Sequence, residues 1–413
     1  MNVTIVPAPL CGDVVIPPSK SAAHRVLICA ALSGGECRVT PYCTSNDIIA
    51  TVECLRALGY HINEDDNGYT VSGKGAATCN TLNFGESGST ARFLLPIAAA
   101  LGANVDCVGE GRLPLRPMDI MASLLKTHGV DVSSDKLPIS ISKKLTAGVF
   151  KLPGNVSSQY ISGIMLAAPL TDGEVVIEPT TMLESVGYID MTVDVMKKYG
   201  VTVLETDSGW EIPETEKYCP VDAVIEGDWS QAAFFMSAAA LGGDVRIHGL
   251  DFCSRQGDMA ALDVFAAFGA DITLENDVLH IKKGTLKGVT VNAANVPDMV
   301  PAIAATAAFA EGKTVIHSAE RLRIKESDRI KTVLAALKSM GVKAEETADG
   351  MIIHGGAVHG GIIDGANDHR IVMAFSVAAA FANGESTVIG AEAVNKSYPE
   401  FFEALKRMGG IVK

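Results

Sequence analysis

Two kinds of apolar segment alternate along the whole chain. The first is an Ala-rich stretch that ends at a Gly turn and leads into a short β-branched run, as in AAALGGDVRI and AAFAEGKTVI. This pattern predicts a helix, a turn and a strand. The turn glycines recur every 67 to 72 residues, at Gly35, Gly102, Gly173, Gly243, Gly312 and Gly384.

The second segment is an amphipathic helix that stops at a glycine and is followed by a strand. Within 328–340, apolar side chains recur at helical spacing, at Ile330, Val333, Leu334, Leu337 and Met340. Lysines fall near the last turns of 188–199 and 328–340, as a helix C-terminus favours. The glycine stops keep the same period of about 70 residues, at Gly59, Gly129, Gly200, Gly269, Gly341 and Gly409.

Because both patterns recur six times in phase, we predict six copies of a βα–βα unit with added strands. The period is too long for an ordinary solenoid, so each copy should be a small α/β subunit. Prolines and charges interrupt the pattern near 215–226, which favours a division into three copies plus three.

The polar motifs lie almost entirely just before these helices, as in PPSKSAAHR, GESGSTAR and GANDHR. A helix N-terminus carries partial positive charge, so cations there are unfavourable unless anions neutralise them. Each serine or arginine taken alone could be an ordinary cap or a solvated group, but together they predict an anion-binding site. The cations at predicted helix starts are Lys20, Arg25, Arg92, Arg112, Arg116, Arg321, Arg323, Lys325, Arg329, Arg370 and Lys396.

Composition sets limits on function. The chain has 413 residues and a formal charge of −14, which argues against general nucleic-acid binding but leaves room for a local basic cleft. Nine cysteines without a CxxC pair are expected to be thiols in a reducing cytoplasm. No metal-ligand spacing, signal peptide or bilayer-length apolar run is present, so we expect a soluble cytoplasmic protein without a metal.

Two carboxylates stand among the cations. Asp298 follows Pro297 at a predicted helix start, and Glu326 lies between Lys325 and Arg329. Such groups can shuttle protons, although each could instead form a structural ion pair. His24 and His369 could contact anions or be structural, and Cys107 is expected to be a strand residue. The remaining acidic candidates are expected to orient their neighbours, and these are Asp228, Asp328 and Asp368.

At these motifs the chain resembles the EPSP synthase (3-phosphoshikimate 1-carboxyvinyltransferase) family over its whole length. The resemblance rests on PSKSAAHR, GESGSTAR, RLPLRP, VSSQ, SVGYID, EGDWS, VPD, RIKESDR, NDHR and NKSYPEF, in that order. It implies an inside-out α/β barrel with two domains, each of three βαβαββ-type repeats, and an active site in the cleft between them. We expect residues 1–14 with 227–413 in one domain and 15–226 in the other.

The resemblance also implies the substrates, shikimate 3-phosphate and phosphoenolpyruvate, and the residues that bind them. Arginine suits this role because its planar fork pairs with carboxylate and phosphate. Shikimate 3-phosphate is assigned to Lys20, Ser21, Arg25, Ser157, Ser158, Gln159, Ser185, Asp298 and Lys325. Phosphoenolpyruvate is assigned to Lys20, Gly88, Arg116, Gln159, Arg329, Arg370 and Lys396.

The implied reaction is addition followed by elimination. The 5-hydroxyl of shikimate 3-phosphate attacks C2 of phosphoenolpyruvate, and phosphate then leaves a tetrahedral intermediate. Asp298 is the candidate base for the hydroxyl, Glu326 the candidate acid and base at the methyl carbon, and Lys20 an aid to the departing group. No cofactor, nucleic acid or membrane is implied, and a monomer is expected.

Several residues depart from the usual family sequence. Glu86 and Ser89 replace an Asn and a Thr beside the phosphoenolpyruvate pocket, which leaves glyphosate sensitivity open. Arg321 replaces an Asn that contacts shikimate, and Tyr398 replaces a Phe. Leu113, Pro114 and Leu115 replace a more polar segment.

Two other functions remain as alternatives. One is the related transferase that uses UDP-N-acetylglucosamine, which typically carries a reactive Cys before the Arg116-Pro117 equivalent, where this chain has GEGRLPLRP. The other is a non-catalytic anion-binding homologue, which would be expected to have lost Lys20, Asp298 or Glu326.

Overall fold

The computed structural model describes all residues 1–413, which form two compact units. The C-terminal unit comprises Met1–Pro17 and Glu226–Lys413, and the N-terminal unit comprises Pro18–Ile225. Six four-stranded sheets are present, three in each unit. None of the helices is both long and apolar enough to cross a bilayer.

The strands are short, most of them two to five residues. In chain order they are β1 (Asn2–Val6), β2 (Cys11–Val15), β3 (Cys37–Thr40), β4 (Tyr60–Asp65), β5 (Gly68–Lys74), β6 (Thr81–Asn83), β7 (Val105–Val108), β8 (Asp131–Val132), β9 (Ile139–Ser142), β10 (Gly148–Leu152), β11 (Val175–Pro179), β12 (Leu204–Thr206), β13 (Gly209–Ile212), β14 (Ala223–Val224), β15 (Asp244–His248), β16 (Asp271–Glu275), β17 (Val278–Lys282), β18 (Thr290–Asn292), β19 (Lys313–His317), β20 (Lys343–Glu346), β21 (Met351–His354), β22 (Ile362–Asp364), β23 (Ser386–Ile389) and β24 (Ile411–Val412).

Each repeat contributes two α-helices. They are α1 (Lys20–Leu32), α2 (Asn46–Ala57), α3 (Gly88–Ala100), α4 (Asp119–Thr127), α5 (Ser158–Ala167), α6 (Val186–Lys198), α7 (Trp229–Leu241), α8 (Ala261–Phe268), α9 (Val300–Ala307), α10 (Arg329–Ser339), α11 (His369–Ala380) and α12 (Phe401–Arg407).

All six sheets have the same pairing pattern, which confirms the predicted sixfold repeat. An edge strand pairs in parallel with its neighbour, and two antiparallel strands follow, as in β6-β7-β9-β8, where Leu82 lies opposite Cys107. The other sheets are β10-β11-β13-β12, β14-β3-β5-β4, β2-β15-β17-β16, β18-β19-β21-β20 and β22-β23-β1-β24. In four of the sheets one helix directly joins the two parallel strands, as a parallel connection requires.

Two edge strands are exchanged between repeats. Along the chain β2 leads into α1, yet it pairs with β15, where Val14 lies opposite Ile247. Conversely β14 leads into α7, yet it pairs with β3, where Val224 lies opposite Thr40. The chain therefore passes from one unit to the other twice, after Pro17 and after Ile225.

The first helix of each repeat forms the core of its unit, which is why these helices are Ala-rich. All residues of α7 are buried, and α7 contacts both α9 and α11. In the N-terminal unit α3 and α5 approach so closely that a Cβ on Gly163 would lie 2.2 Å from the main-chain oxygen of Arg92. Small residues thus allow the helices to pack inside and the sheets to cover them.

The second helix of each repeat is amphipathic, as the spacing of its apolar residues predicts. In α10 the side chains of Ile330, Val333 and Leu337 are buried, whereas Leu334 is only partly buried. The glycines that end these helices take the left-handed conformation, with φ between 77° and 100°, that closes a helix C-terminus without steric cost. These are Gly59, Gly129, Gly200, Gly269, Gly341 and Gly409.

Candidate active site

The polar motifs lie at helix starts, as the sequence predicts. At six of these starts a Ser or Asp side chain caps the helix by accepting a hydrogen bond from a main-chain N–H two or three residues further on. The caps are Ser19 on α1, Ser87 on α3, Ser157 on α5, Asp228 on α7, Asp328 on α10 and Asp368 on α11.

In the C-terminal unit Arg329 binds three carboxylates that lie near the starts of α9, α10 and α11. Its Nη1 lies 2.8 Å from Asp298 Oδ1, its Nη2 2.7 Å from Glu326 Oε2, and its Nε 2.8 Å from Asp368 Oδ2. The Arg329 side chain is only 1% exposed. Because burying an unpaired guanidinium is very costly, these carboxylates are what permits Arg329 to lie there.

Asp298 lies among three cations. Besides Arg329, it contacts Arg370 Nη2 at 3.1 Å and Lys325 Nζ at 3.7 Å, and the main-chain oxygen of Asp298 also accepts from Arg370 Nη1. Burial raises the pKa of Asp298, but the charges of Arg370, Lys325 and Arg329 outweigh burial and hold that pKa well below its ordinary value. Asp298 is therefore ionised at neutral pH.

In Lys325 the effect of burial on the pKa outweighs that of the neighbouring charge. Burial lowers the pKa of its ammonium to about 8, although the negative charge of Asp298 opposes the shift. The Lys325 side chain as a whole is 25% exposed. Lys325 can thus hold or release a proton close to neutral pH.

The start of α11 adds further polar groups. Asp368 is fully buried, caps the helix and also accepts from Ser327 Oγ at 2.9 Å. Lys396 donates to the main-chain oxygen of Asn367 at 2.7 Å. Asn367 has a positive φ of 54°, which is uncommon outside glycine and places this turn under backbone strain.

In the N-terminal unit Lys20 forms an ion pair with Asp47, with 2.7 Å between Nζ and Oδ2. Their side chains are 14% and 11% exposed, so the pair is largely shielded from solvent. Asp47 is not among the residues that the sequence predicts for the site, because it lies in the first turn of α2, away from the cationic motifs.

Arg25 is buried and held by two other helices of the same unit. Its Nε donates to Thr192 Oγ1 at 2.7 Å, and its Nη2 donates to Tyr188 O at 2.8 Å and Ser162 Oγ at 3.3 Å. Its Nη1 donates to Ser21 O at 2.7 Å. These bonds use four of the five N–H groups of the guanidinium, which leaves one for another partner.

The start of α3 brings Gly88 against two arginines. A Cβ on Gly88 would lie 2.6 Å from Arg116 Nη1 and 2.7 Å from Arg92 Nη1. Arg92 donates to Gln159 Oε1 at 3.1 Å, and Gln159 Nε2 donates to Ser89 Oγ at 2.8 Å. Gly88, Arg116 and Gln159 therefore lie close together, as residues assigned to one substrate, phosphoenolpyruvate, should.

The predicted serines lie at two other helix starts. Ser157 caps α5, and Ser158 is its first residue. Ser185 precedes α6 with φ 57° and ψ 44°, a left-handed conformation that the sequence did not indicate. Such strain in a buried polar residue is typical of functional sites.

Three other candidates, His24, Cys107 and His369, are buried. His24 is fully buried and bonds Thr51 Oγ1 at 2.8 Å, and burial lowers the pKa of His24 well below its ordinary value, so the ring is neutral and cannot act as a cation. Cys107 is a buried strand residue, as expected. His369 is buried beside Asp368. No group of three or more His, Cys, Asp or Glu side chains is placed to hold a metal ion.

The positions that depart from the family sequence also have defined surroundings. Glu86 packs against Gly111, where a Cβ would lie 2.2 Å from Glu86 Oε2. Arg321 donates to Ala294 O. Leu113 is buried, whereas Leu115 is 77% exposed.

Comparison with known proteins agrees with this fold. The sequence model of the EPSP synthase (3-phosphoshikimate 1-carboxyvinyltransferase) family matches residues 6–405. The 3-phosphoshikimate 1-carboxyvinyltransferase of Clostridium novyi is 39% identical over 426 residues, covering 100% of this chain and 98% of the relative. That of Clostridium kluyveri is 40% identical over 415 residues, covering 99% and 97%.

Structural comparison gives the same result. The crystal structure of EPSP synthase from Acinetobacter baumannii superposes with a TM-score of 0.85 at 30% identity, covering 100% of this chain and 99% of that one. The fold and the cationic helix starts thus define an enolpyruvyl transferase. The chain belongs to the EPSP synthase family, 3-phosphoshikimate 1-carboxyvinyltransferase.

Proposed function

We propose how this chain carries out its family's reaction, the transfer of the enolpyruvyl group of phosphoenolpyruvate to the 5-hydroxyl of shikimate 3-phosphate with release of phosphate. The observation that carries the proposal is the position of Asp298, an ionised carboxylate in contact with Arg329, Arg370 and Lys325. A carboxylate repels bound anions, and the three cations that lie close to Asp298 offset that repulsion.

Asp298 acts as the base for the 5-hydroxyl. Alone it would be a weak base, since Arg370 and Lys325 depress its pKa. When the anionic substrates bind these cations, part of that depression is removed, and the pKa of Asp298 rises toward a value useful for proton transfer. Substrate binding thereby activates the base.

Glu326 acts as acid and base at the methyl carbon. Arg329 holds Glu326 at 2.7 Å and Asp298 at 2.8 Å through different nitrogens, which fixes the two carboxylates relative to each other. Fixed orientation of this kind contributes to catalysis without requiring rearrangement during reaction.

Phosphoenolpyruvate is bound by the guanidinium and ammonium groups at the helix starts. Arg329 retains one Nη1 hydrogen after its bonds to Asp298, Glu326 and Asp368, so its contribution to binding is small beside its orienting role. The remaining contacts are Lys20, Gly88, Arg116, Gln159, Arg370 and Lys396.

Shikimate 3-phosphate is bound mainly at the starts of α1, α5 and α6, where main-chain N–H groups and hydroxyls suit a phosphate. Lys20 also assists the departing phosphate, since its ion pair with Asp47 can be exchanged for a substrate anion. The other proposed contacts are Ser21, Arg25, Ser157, Ser158, Gln159, Ser185, Asp298 and Lys325.

A phosphate-release assay tests the function. Phosphate should appear with phosphoenolpyruvate and shikimate 3-phosphate, and not when UDP-N-acetylglucosamine replaces the shikimate acceptor. Phosphate release only with the sugar nucleotide would contradict the assignment of shikimate 3-phosphate as acceptor. Binding of both substrates without phosphate release would favour a non-catalytic homologue.

We also propose that the enzyme acts as a monomer in the cytoplasm, where its nine free cysteines would stay reduced.

A further inference from the structure

Two side chains from different helices hold one main-chain carbonyl next to Arg116. Tyr160, in α5, donates its hydroxyl to Pro117 O at 2.5 Å, and Arg92, in α3, donates from Nη2 to the same oxygen at 2.9 Å. Tyr160 is completely buried, and Arg92 is 3% exposed. A buried tyrosine hydroxyl usually finds a hydrogen-bond partner, but here the partner directly follows a residue assigned to phosphoenolpyruvate.

The backbone is restricted on both sides of Arg116. The N–H of Arg116 donates to Leu113 O at 3.0 Å, and its φ of −79° and ψ of 147° are extended. A residue before proline is confined to extended conformations, and the proline ring fixes its own φ. Holding the Pro117 carbonyl therefore fixes the direction in which the Arg116 side chain leaves the backbone.

The same buried cluster contains the other groups assigned to phosphoenolpyruvate at the starts of α3 and α5. Arg92 Nη1 donates to Gln159 Oε1 at 3.1 Å and to Gly88 O at 3.3 Å. Arg92 Cζ also lies 5.3 Å from the centre of the Tyr160 ring, which is close enough for a cation–π contact. Gln159, Gly88 and Arg116 are thus all linked to Arg92, and Tyr160 packs against it.

We propose that Tyr160 is a positioning residue for enolpyruvyl transfer: through the Pro117 carbonyl, its hydroxyl holds Arg116 in the orientation that binds phosphoenolpyruvate. This inference rests on the role proposed above for Arg116. Because Tyr160 is completely buried, it acts through Arg116 and not by touching the substrate. An arginine that is already held in place loses less conformational freedom on binding, so the hydroxyl should improve the affinity for phosphoenolpyruvate.

The test is Tyr160→Phe, which removes the hydroxyl and keeps the ring that contacts Arg92. The Pro117 carbonyl retains its bond from Arg92, so the change leaves no buried acceptor unpaired. We expect the KM for phosphoenolpyruvate to rise about three- to tenfold, the effect of one lost hydrogen bond, with kcat nearly unchanged. The KM for shikimate 3-phosphate should stay nearly constant, because Arg116 is not assigned to that substrate.

Tyr218→Phe is the matched control. Tyr218 is also a buried tyrosine of the N-terminal unit, and its hydroxyl also donates to a main-chain carbonyl, Leu166 O, at 2.9 Å. Loss of the Tyr218 hydroxyl should lower the free energy of unfolding about as much as Tyr160→Phe does, while both KM values stay unchanged. The comparison separates a general loss of stability from a loss of orientation at Arg116.

A second experiment shows whether the hydroxyl acts through Arg116. In an Arg116→Ala background the guanidinium that Tyr160 positions is absent, so adding Tyr160→Phe should not weaken phosphoenolpyruvate binding further. Equilibrium binding of phosphoenolpyruvate in the presence of shikimate 3-phosphate measures this without requiring turnover.

An unchanged KM for phosphoenolpyruvate in Tyr160→Phe, or an equal loss of affinity with and without Arg116, would overturn the inference and leave the hydroxyl a purely structural role. Failure of the proposed function looks different, because the wild-type protein itself would then release no phosphate. If Arg116 did not bind phosphoenolpyruvate, Arg116→Ala alone would leave the affinity for phosphoenolpyruvate unchanged.

Discussion

Arg329 lies 2.8 Å from Asp298 and is 1% exposed, yet it contacts two further carboxylates, Glu326 and Asp368. The relationship explains how Asp298 and Glu326 can lie beside the proposed anion-binding site. Arg329 pairs with both, while Arg370 contacts Asp298 Oδ2 and Lys325 lies 3.7 Å from Asp298 Oδ1, where we propose that they attract substrate. Arg329 is thus occupied by carboxylates of the protein itself, whereas Arg370 and Lys325 are the cations that we propose bind substrate.

Replacing Asp298 by Ala should abolish most turnover, because the proposed base is removed. A general base contributes about 10²- to 10⁴-fold, so kcat should fall by roughly that factor. Affinity for phosphoenolpyruvate should be retained or increased, since a negative charge beside Arg370 is lost. Steady-state phosphate release and equilibrium binding measure the two effects, with Glu346→Gln at an exposed carboxylate as control. Near-normal kcat would refute the role of Asp298.

Replacing Arg329 by Lys should destabilise the C-terminal unit, because an ammonium cannot reach three carboxylates at once. Leaving a buried charge uncompensated costs about 3–5 kcal/mol, and we expect the free energy of unfolding to fall by a similar amount. Urea unfolding in a Trp210→Phe background isolates the fluorescence of Trp229, which lies in this unit.

The matched control for Arg329→Lys is Lys331→Ala, two residues further on. The Lys331 side chain is 69% exposed, and its removal should change the free energy of unfolding by less than about 0.5 kcal/mol. Equal effects of the two changes would show that the three-carboxylate arrangement does not stabilise the unit.

Replacing Asp258 by Asn should stabilise the protein at high pH only. Folding raises the pKa of Asp258 from its ordinary value of 3.8 to about 6, mainly by burial, so the folded protein binds this proton more tightly than the unfolded chain. The wild type therefore loses stability as pH rises from about 4 through 6, and the Asn variant does not.

The size of this difference follows from the shift in pKa. Two units correspond to about 3 kcal/mol, which is the expected gain in the free energy of unfolding of Asp258→Asn above pH 7. Below pH 4 the two proteins should be equally stable. Urea unfolding of both at pH 4 and pH 8 checks this, and a constant difference between them would contradict it.

Replacing Gly88 by Ala should weaken phosphoenolpyruvate binding. The new Cβ would lie 2.6 Å from Arg116 Nη1, so the guanidinium must move away from its position. We expect the KM for phosphoenolpyruvate to rise about tenfold, roughly the loss of one charged hydrogen bond, with a smaller effect on kcat. Gly356→Ala, where no atom lies within 4 Å of the added Cβ, is the control. An unchanged KM would show that Arg116 does not bind this substrate.

The sequence predicted the repeat and the helix starts because both are local. The period of about 70 residues, the glycines after each amphipathic helix and the capping Ser and Asp residues depend on neighbours in the chain. The predicted helix around Ile330, Val333 and Leu337 is present for the same reason. The resemblance then supplied the site residues, whose roles stay predictions until the variants above are measured.

The tertiary structure alone decided which groups meet. The exchange of β2 and β14 pairs Val14 with Ile247, more than 200 residues away, and no local pattern encodes that partner. Likewise Asp47 lies outside the cationic motifs and reaches Lys20 only through helix packing. Helical period and capping follow from consecutive residues, whereas the ionisation of a buried carboxylate depends on charges that folding brings near it.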